Sequence, residues 1–401
     1  MSKRNPDPAT GRFDLFDAEF ARCPQHAYRE ALAECPVARN PLTNGPIISR
    51  YEDVMWCLRH PEIFSSEISL EMALGTHRPM IPQQIDPPAQ TRYRKILDPL
   101  FSRKRMNALA PGLRRDANAL IDGFIDEGRC EYNSQFAVPL PANAFLHLMG
   151  LPSTDLDLFL RLKDGIIRPQ TLVEEPDLEE MTRIRKASGQ EIYDYFSDLI
   201  GVRRRDPRDD LMSYFLGAEL DGRRLSDDEI LDICFLFIIA GLDTVTATLG
   251  CNTVYLATNP DQRRRLVEEP ELMPSAIEEL LRWETPVLGI PRIAREDVTI
   301  AGFEIKAGEM VTLLLGAANV DDAEFPQPEL VDLARESNRH LAFGGGAHRC
   351  LGSHLARMEL SVAMEEWHER IPDYRVAEGE QPRYSAGIRE VNYLPLVWTP
   401  A

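Results

Sequence analysis

"FGGGAHRCLG", residues 343–352, puts four glycines, one histidine and one cysteine into ten positions. Glycine costs conformational entropy on ordering, so such a run needs a tight turn or a backbone that must pass close to something bound. The sequence after it turns helical. In "LGSHLARMELSVAMEEWHERI" Leu351, Leu355, Met358, Val362 and Trp367 recur at near-helical spacing, which predicts a helix over 350–370. Cys350 then sits where a glycine loop meets a helix N-terminus. Free N–H groups and a positive partial charge at that end favour a thiolate over a thiol.

Around this stretch the chain is acidic and ordinary in composition. Its 401 residues are 27% charged and 44% hydrophobic, with a formal net charge of -19 and a pI of about 4.9. That balance argues against a broad nucleic-acid-binding face. "MSKRNPDPATGRFD" at the N-terminus has no apolar core of a secretory signal. The most apolar run, "ICFLFIIAGL" at 233–242, is too short to span a bilayer and is bracketed by Asp232 and Asp243. The expectation is no membrane anchor. Seven cysteines (Cys23, Cys35, Cys57, Cys130, Cys234, Cys251 and Cys350) are widely spaced without a CxxC, which points to reduced thiols and a cytoplasmic protein.

Helical patterns dominate, at 51–60, 88–107, 108–127, 177–205, 226–258, 274–284 and 350–370. Strand signals are short and lie near 45–50, 292–304, 309–315 and 391–398, with turns at Ala301-Gly302 and Ala307-Gly308. The predicted fold is mainly α with small β-sheets. No linker divides the chain, so 1–401 reads as one domain. Two stretches, 64–87 and 167–177, mix proline with apolar residues and read as mobile loops lidding an apolar pocket.

Two further constellations carry chemistry. In the helix at 226–258, "LSDDE" supplies a capping box of Ser226 and Glu229, with Leu225 and Ile230 as a hydrophobic staple. Continuous, that helix would run about 50 Å and cross the molecule. In its middle "AGLDTVT" sets a carboxylate beside an apolar run. One reading pairs Asp243 with a distant cation and has Thr244 bond back to the carbonyl of Ala240. The other has Gly241 and Thr244 open a groove where Asp243 and Thr244 pass protons to something bound. Downstream, "IEELLRWETPV" places Glu279 and Arg282 three apart on one helical face, with Arg335 as a further basic residue before the glycine loop. Spacing alone favours a surface ion pair worth at most about 1 kcal/mol.

Together, and in this order, these stretches resemble the cytochrome P450 family of haem-thiolate monooxygenases, in particular its soluble bacterial members. "FGGGAHRCLG" fits the family's Phe-Gly-x-Gly-x-His-x-Cys-x-Gly loop at every specified position. "AGLDT" fits the oxygen-binding signature, and "ELLR" fits Glu-x-x-Arg with Arg335 as third member of a structural triad. Leu333 stands where the family often has proline, and Gln90 where many members carry histidine. The resemblance implies a P450 fold, with haem b between the long central helix and the cysteine-loop helix. Cys350 would be the axial thiolate, which favours O–O cleavage. Gln90, Arg94, Arg292 and His348 would meet the propionates, and Ala240, Gly241, Phe343, Gly344, Gly352 and Ala356 would flank the macrocycle. Asp243 would feed protons and Thr244 hold the bound oxygen. A zinc site on His348, Cys350 and His354 has no fourth ligand nearby.

The implied reaction inserts one oxygen atom from O2 into a C–H bond of a hydrophobic small molecule, such as a terpenoid, steroid or fatty acyl compound. Leu236, Ile239, Ala240, Val287, Leu288, Ile290 and Ile388 are candidate pocket residues, under a roof of "SLEMALGTHRPMIPQQ" (69–84) in which Arg78 is an exposed cation or a partner for a substrate carboxylate. No GxGxxG opens a helix after a strand, so electrons must come from outside. The family docks an acidic ferredoxin, itself served by a ferredoxin reductase, on the cysteine side. Arg92, Lys95, Arg103, Lys104, Arg105, Arg349 and Arg357 would form that surface on a monomer. The rival readings are an H2O2-dependent peroxygenase and a non-enzymatic haem sensor.

Overall fold

In the computed structural model, residues 18–34, 37–40, 44–68, 75–174, 177–385 and 388–400 are described. The first six residues of the expected roof, and Cys35, lie outside them. Helices dominate and the sheets are small. One five-stranded sheet has the order Val37–Arg39, Pro46–Ile48, Met310–Leu313, Ile290–Ala294, Phe64–Ser65. Its one parallel pair sets Thr312 opposite Ile47; the other pairs are antiparallel. Beside it, Val298–Ile300 and Phe303–Ile305 form a hairpin closed by Ala301 (φ 48) and Gly302 (φ 81), the left-handed pair that a two-residue turn requires. The second expected turn, at Gly308 (φ 86), leads into Met310–Leu313, which pairs with Ile290–Ala294 instead of its predecessor.

The principal apolar cluster runs from Met80 to Leu396 and is built around the central helices. A second cluster lies under the five-stranded sheet, and a third joins Phe20 and Tyr28 to Leu288 and Leu314.

Three expected helices change shape. Residues 88–107 divide into Ala89–Leu97, a 3-10 turn Asp98–Phe101 carrying Pro99, and Arg103–Asn107. The next helix is shorter than expected, Ala110–Asp122. The predicted 226–258 helix is two, Asp227–Gly241 and Thr244–Thr258, interrupted at Leu242 and Asp243. Its capping box is present, with Glu229 N–H on Ser226 at 3.2 Å and Ser226 N–H on the Glu229 carboxylate at 2.7 Å. Taken together Asp227–Thr258 is long and apolar enough to cross a bilayer, but most of it is buried inside the protein, as a core helix is. The expected loops are partly regular: 64–87 contributes the edge strand Phe64–Ser65, and 167–177 holds the 3-10 turn Pro169–Leu172 before the helix Leu178–Arg205 begins.

Candidate active site

The glycine loop takes its shape from two positions. Gly344 (φ 63) and Gly346 (φ 62) adopt left-handed backbone, and a Cβ on Gly346 would lie 1.9 Å from the carbonyl oxygen of Leu58. The loop is therefore pressed against the C-terminal turn of the helix Tyr51–Arg59. Cys350 N–H donates to the Phe343 carbonyl at 2.8 Å and closes it. The following helix starts only at Ser353, with Gly352 as N-cap. Burial pushes the Cys350 thiol up, against the Gly352 N–H and the nearby Arg94, Arg349 and Arg357, which favour the thiolate. The loop N–H and the arginines thus favour the thiolate, as the sequence leads one to expect, while desolvation opposes it. Cys350 is nonetheless accessible. Being both desolvated and accessible, it lines an interior space and not the outer surface.

Two groups near the loop, Arg292 and His348, have no bonded anion among the described residues. Arg292 is 8% exposed and has no ion pair among the described residues; its Nη1 donates only to the adjacent Pro291 carbonyl at 2.7 Å. Burial lowers it to about 10. His348 Nε2 is buried without a hydrogen-bond partner, and burial together with Arg292 lowers its pKa to about 4. A buried guanidinium beside an orphaned imidazole nitrogen is unfavourable unless an anion meets them. Their chemistry fits a carboxylate such as a haem propionate. The other two expected donors are engaged within the protein. Gln90 gives Nε2 to the Ala347 carbonyl at 2.6 Å, and Arg94 bonds Asp98 at 2.6 Å and the Arg349 carbonyl at 2.7 Å. Gln90 therefore shapes the loop with one amide hydrogen, and both side chains keep further N–H donors.

The interruption of the central helix carries the second set. An added Cβ at Gly241 would stand 3.1 Å from the Phe145 ring. Ala240 is exposed although Leu236, Phe237 and Ile238 before it are buried, so an interior space also opens at this point. Thr244 Oγ1 donates back to the Ala240 carbonyl at 3.2 Å. Asp243 is fully buried and accepts from Lys163 Nζ at 3.0 Å and from Arg168 Nη2 at 2.8 and 2.7 Å. Burial opposes its charge, but Arg168 and then Lys163 outweigh that and hold the carboxyl below its usual range. Arg168 also bonds Asp164 at 2.9 Å and the buried Glu390. Lys163, Arg168 and Glu390 were not legible as site residues. Only Lys163 left a trace: it stands four residues after Phe159 and three before Ile166, on the apolar face of the helix Leu156–Ile167.

The Glu-x-x-Arg pair corrects the spacing-only expectation. Glu279 and Arg282 are both fully buried and joined at 2.9 and 2.8 Å. Arg335 Nε adds a third bond at 3.0 Å, and Asn338 and the Asp332 N–H complete the carboxylate's partners. Arg282 spends its remaining donors on the carbonyls of Asn319, Pro328 and Leu330. The turn at Leu333 does not need proline: Asp332 accepts from Ala334 N–H at 3.0 Å and from Arg335 N–H at 3.0 Å.

Other expectations divide. Ile239, Val287, Ile290 and Ile388 are partly open, whereas Leu236 is 8% exposed. Leu288 is 3% exposed and packs in the third cluster. Arg78 is neither free nor fully exposed; it bonds Asp232 at 2.9 Å and Asp228 at 2.7 Å over the Tyr193 ring. On the cysteine side, Lys95, Arg103, Lys104, Arg105 and Arg349 are exposed. Arg92 pairs with Asp221 at 2.9 Å. Arg357 is held by two 2.6 Å bonds to Glu278 and lies over the Phe343 ring, so it braces the loop and is not a free surface cation. Ala356 packs, partly buried, on the principal core.

Comparison with known proteins agrees with this geometry. The family model "Cytochrome P450" matches residues 167–367. The Steroid C26-monooxygenase of Mycobacterium tuberculosis (strain ATCC 25618 / H37Rv) is 35% identical over 97% of both chains. The mycinamicin IV hydroxylase/epoxidase of Micromonospora griseorubida is 37% identical over 88% of this chain and 89% of its own. The crystal structure of CYP109E1 from Bacillus megaterium in complex with testosterone superposes with a TM-score of 0.86 and 29% identity, over 96% of this chain and all of that one. The chain belongs to the cytochrome P450 family and is a haem-binding monooxygenase.

Proposed function

We propose that the chain, as one domain over 1–401, inserts one oxygen atom from O2 into a C–H bond of a hydrophobic small molecule, with Cys350 as the iron ligand. The observation that carries this is the accessible yet desolvated Cys350 in a loop that matches the family motif throughout. When bound, the haem supplies dioxygen activation, and the thiolate pushes electron density toward the bond to be cleaved. Arg292 and His348, with the remaining donors of Arg94 and Gln90, would hold the propionates. Gly352 N–H aims at the sulfur and tempers its basicity. Asp243 would take up protons on its Lys163–Arg168 side and pass them toward Thr244, whose hydroxyl could turn from the Ala240 carbonyl to hold a proton at its Oγ1. Ile239, Ala240, Val287, Ile290 and Ile388 orient the substrate by shape. A steroid, terpenoid or fatty acyl compound suits that lining, and the relatives named for a steroid and for mycinamicin IV agree with a bulky substrate.

Electrons enter from a ferredoxin and its reductase at the exposed Lys95, Arg103, Lys104, Arg105 and Arg349. The buried Asp243 beside Thr244 favours O2 over a peroxygenase reaction, which needs no delivered protons. The test is a screen of hydrophobic compounds for the low- to high-spin shift, then product identification with NADH, ferredoxin and reductase. Cys350→Ser must abolish the reduced carbon-monoxide spectrum of the thiolate form. If that spectrum survives, or if product forms only with added H2O2, the proposal fails.

A further inference from the structure

The ion cluster behind Asp243 contains one carboxylate more than proton delivery to Thr244 requires. Arg168 Nη2 carries two hydrogens. Three carboxylate oxygens lie against it: both of Asp243, at 2.8 and 2.7 Å, and Oε2 of Glu390. Lys163 also serves Asp243 Oδ1, so the two hydrogens suffice to hold Asp243 Oδ2 and Glu390 together. Glu390 opens the strand Glu390–Tyr393 and is 3% exposed, while Arg168 stands at the end of the helix Leu156–Ile167. One guanidinium thus lies between two buried carboxylates from distant parts of the chain.

For Asp243 to take up and pass on a proton, it must loosen its hold on Arg168. Without Glu390 that step would leave the guanidinium only Asp164, which is 34% exposed, and weakening the pairing of a buried charge is unfavourable. Resting on the reading of Asp243 as the proton-delivering acid, we infer that Glu390 is a positioning residue that receives Arg168 when Asp243 lets go. The guanidinium passes from one carboxylate to the other and stays paired throughout. No bond to carbon is involved: a proton from solvent moves onto Asp243 Oδ, and Arg168 keeps its own protons.

The surrounding charges agree with such an exchange. Lys163 faces Asp243 and Asp164, and Asp164 shares Arg168 from its own helix. On the strand side, the Arg389–Glu284 pair and the buried thiol of Cys251 lie nearby. Burial and then the charge of Asp243 raise the Glu390 carboxyl, with Arg168 opposing, whereas Asp243 is held low. Each carboxylate therefore senses the ionisation of the other.

The test compares Glu390→Gln, Glu390→Asp, Asp243→Asn and Arg168→Gln in the haem-loaded enzyme. Glu390→Gln should leave the substrate-induced spin shift intact. It should slow the proton-dependent step roughly tenfold, the size of a coupling between charged neighbours, read as a larger solvent deuterium effect and less product per NADH. Glu390→Asp should restore part of the loss. In an Arg168→Gln background, adding Glu390→Gln should change nothing further. Without turnover, infrared titration of the resting protein should show a carboxyl band that vanishes in Glu390→Gln and titrates at lower pH in Asp243→Asn. An unchanged deuterium effect in Glu390→Gln, an effect that persists without Arg168, or a band indifferent to Asp243→Asn overturns the inference. If Asp243→Asn itself keeps the wild-type deuterium effect, the underlying reading fails and takes the inference with it.

Discussion

Replacing Glu279 by alanine should be among the most damaging single changes in this chain. Its carboxylate takes five hydrogen bonds, from Arg282 at 2.9 and 2.8 Å, Arg335 at 3.0 Å, Asn338 at 3.0 Å and Asp332 N–H at 2.9 Å. Removing it leaves the guanidinium of Arg282, which is fully buried, without a counter-charge. Breaking one side of a buried pair costs about 3–5 kcal/mol. Three carbonyls still solvate Arg282, which places the estimate toward the lower end, near ~3 kcal/mol. Glu279→Gln keeps an acceptor oxygen and loses only charge, so it should fall between wild type and alanine. Urea unfolding of the haem-loaded protein, followed by tryptophan fluorescence and by the haem band, measures the loss. A cost below about 1 kcal/mol, the range of a solvent-exposed pair, would refute the argument that burial governs this triad.

Thr244→Ala should keep the substrate-induced spin shift while electrons from NADH appear as hydrogen peroxide; full coupling to product would remove Thr244 from proton handling. Reduction by the ferredoxin should slow as salt rises, because exposed charges are screened over about 8–10 Å, and Arg103→Glu should slow it most at low salt; a flat ionic-strength profile would exclude docking at this face. Glu278 gives an acid limit. Burial alone would raise its pKa, but bonds from Arg357 and His340 outweigh this and bring it from 4.5 to about 2. Its folded value is depressed, so its contribution is present above pH ~4.5 and is lost as pH falls toward ~2, roughly 3 kcal/mol in all. Arg357→Ala should reduce that acid sensitivity in a stability–pH curve, with His340 holding the remainder, and loosen Phe343; an unchanged curve would refute the assignment.

The cysteine loop was legible because its chemistry lies in adjacent residues, where spacing and identity are read together. The capping box at Ser226 and the turn at Ala301-Gly302 were legible for the same reason. What the sequence hid was pairing at a distance. Nothing local announces that Arg168 and Glu390, more than two hundred residues apart, share a contact. Nor does spacing show that Glu279 is buried, since the residues that cover it come from segments around Asn319, Pro328 and Arg335. The central helix failed differently. Apolar periodicity continues through Leu242, so the register persists across an interruption that only Gly241 against Phe145 and the demands of Asp243 reveal.

The position of Leu288 has a practical consequence for laboratory evolution. Val287 and Ile290 are partly open, yet the side chain between them belongs to the cluster of Phe20, Tyr28 and Leu314. In a saturation library over 287–290, clones altered at Leu288 should be lost to instability more often than those altered at Val287 or Ile290. Holding Leu288 fixed while diversifying Val287 and Ile290 concentrates the screen on variants that keep the core intact.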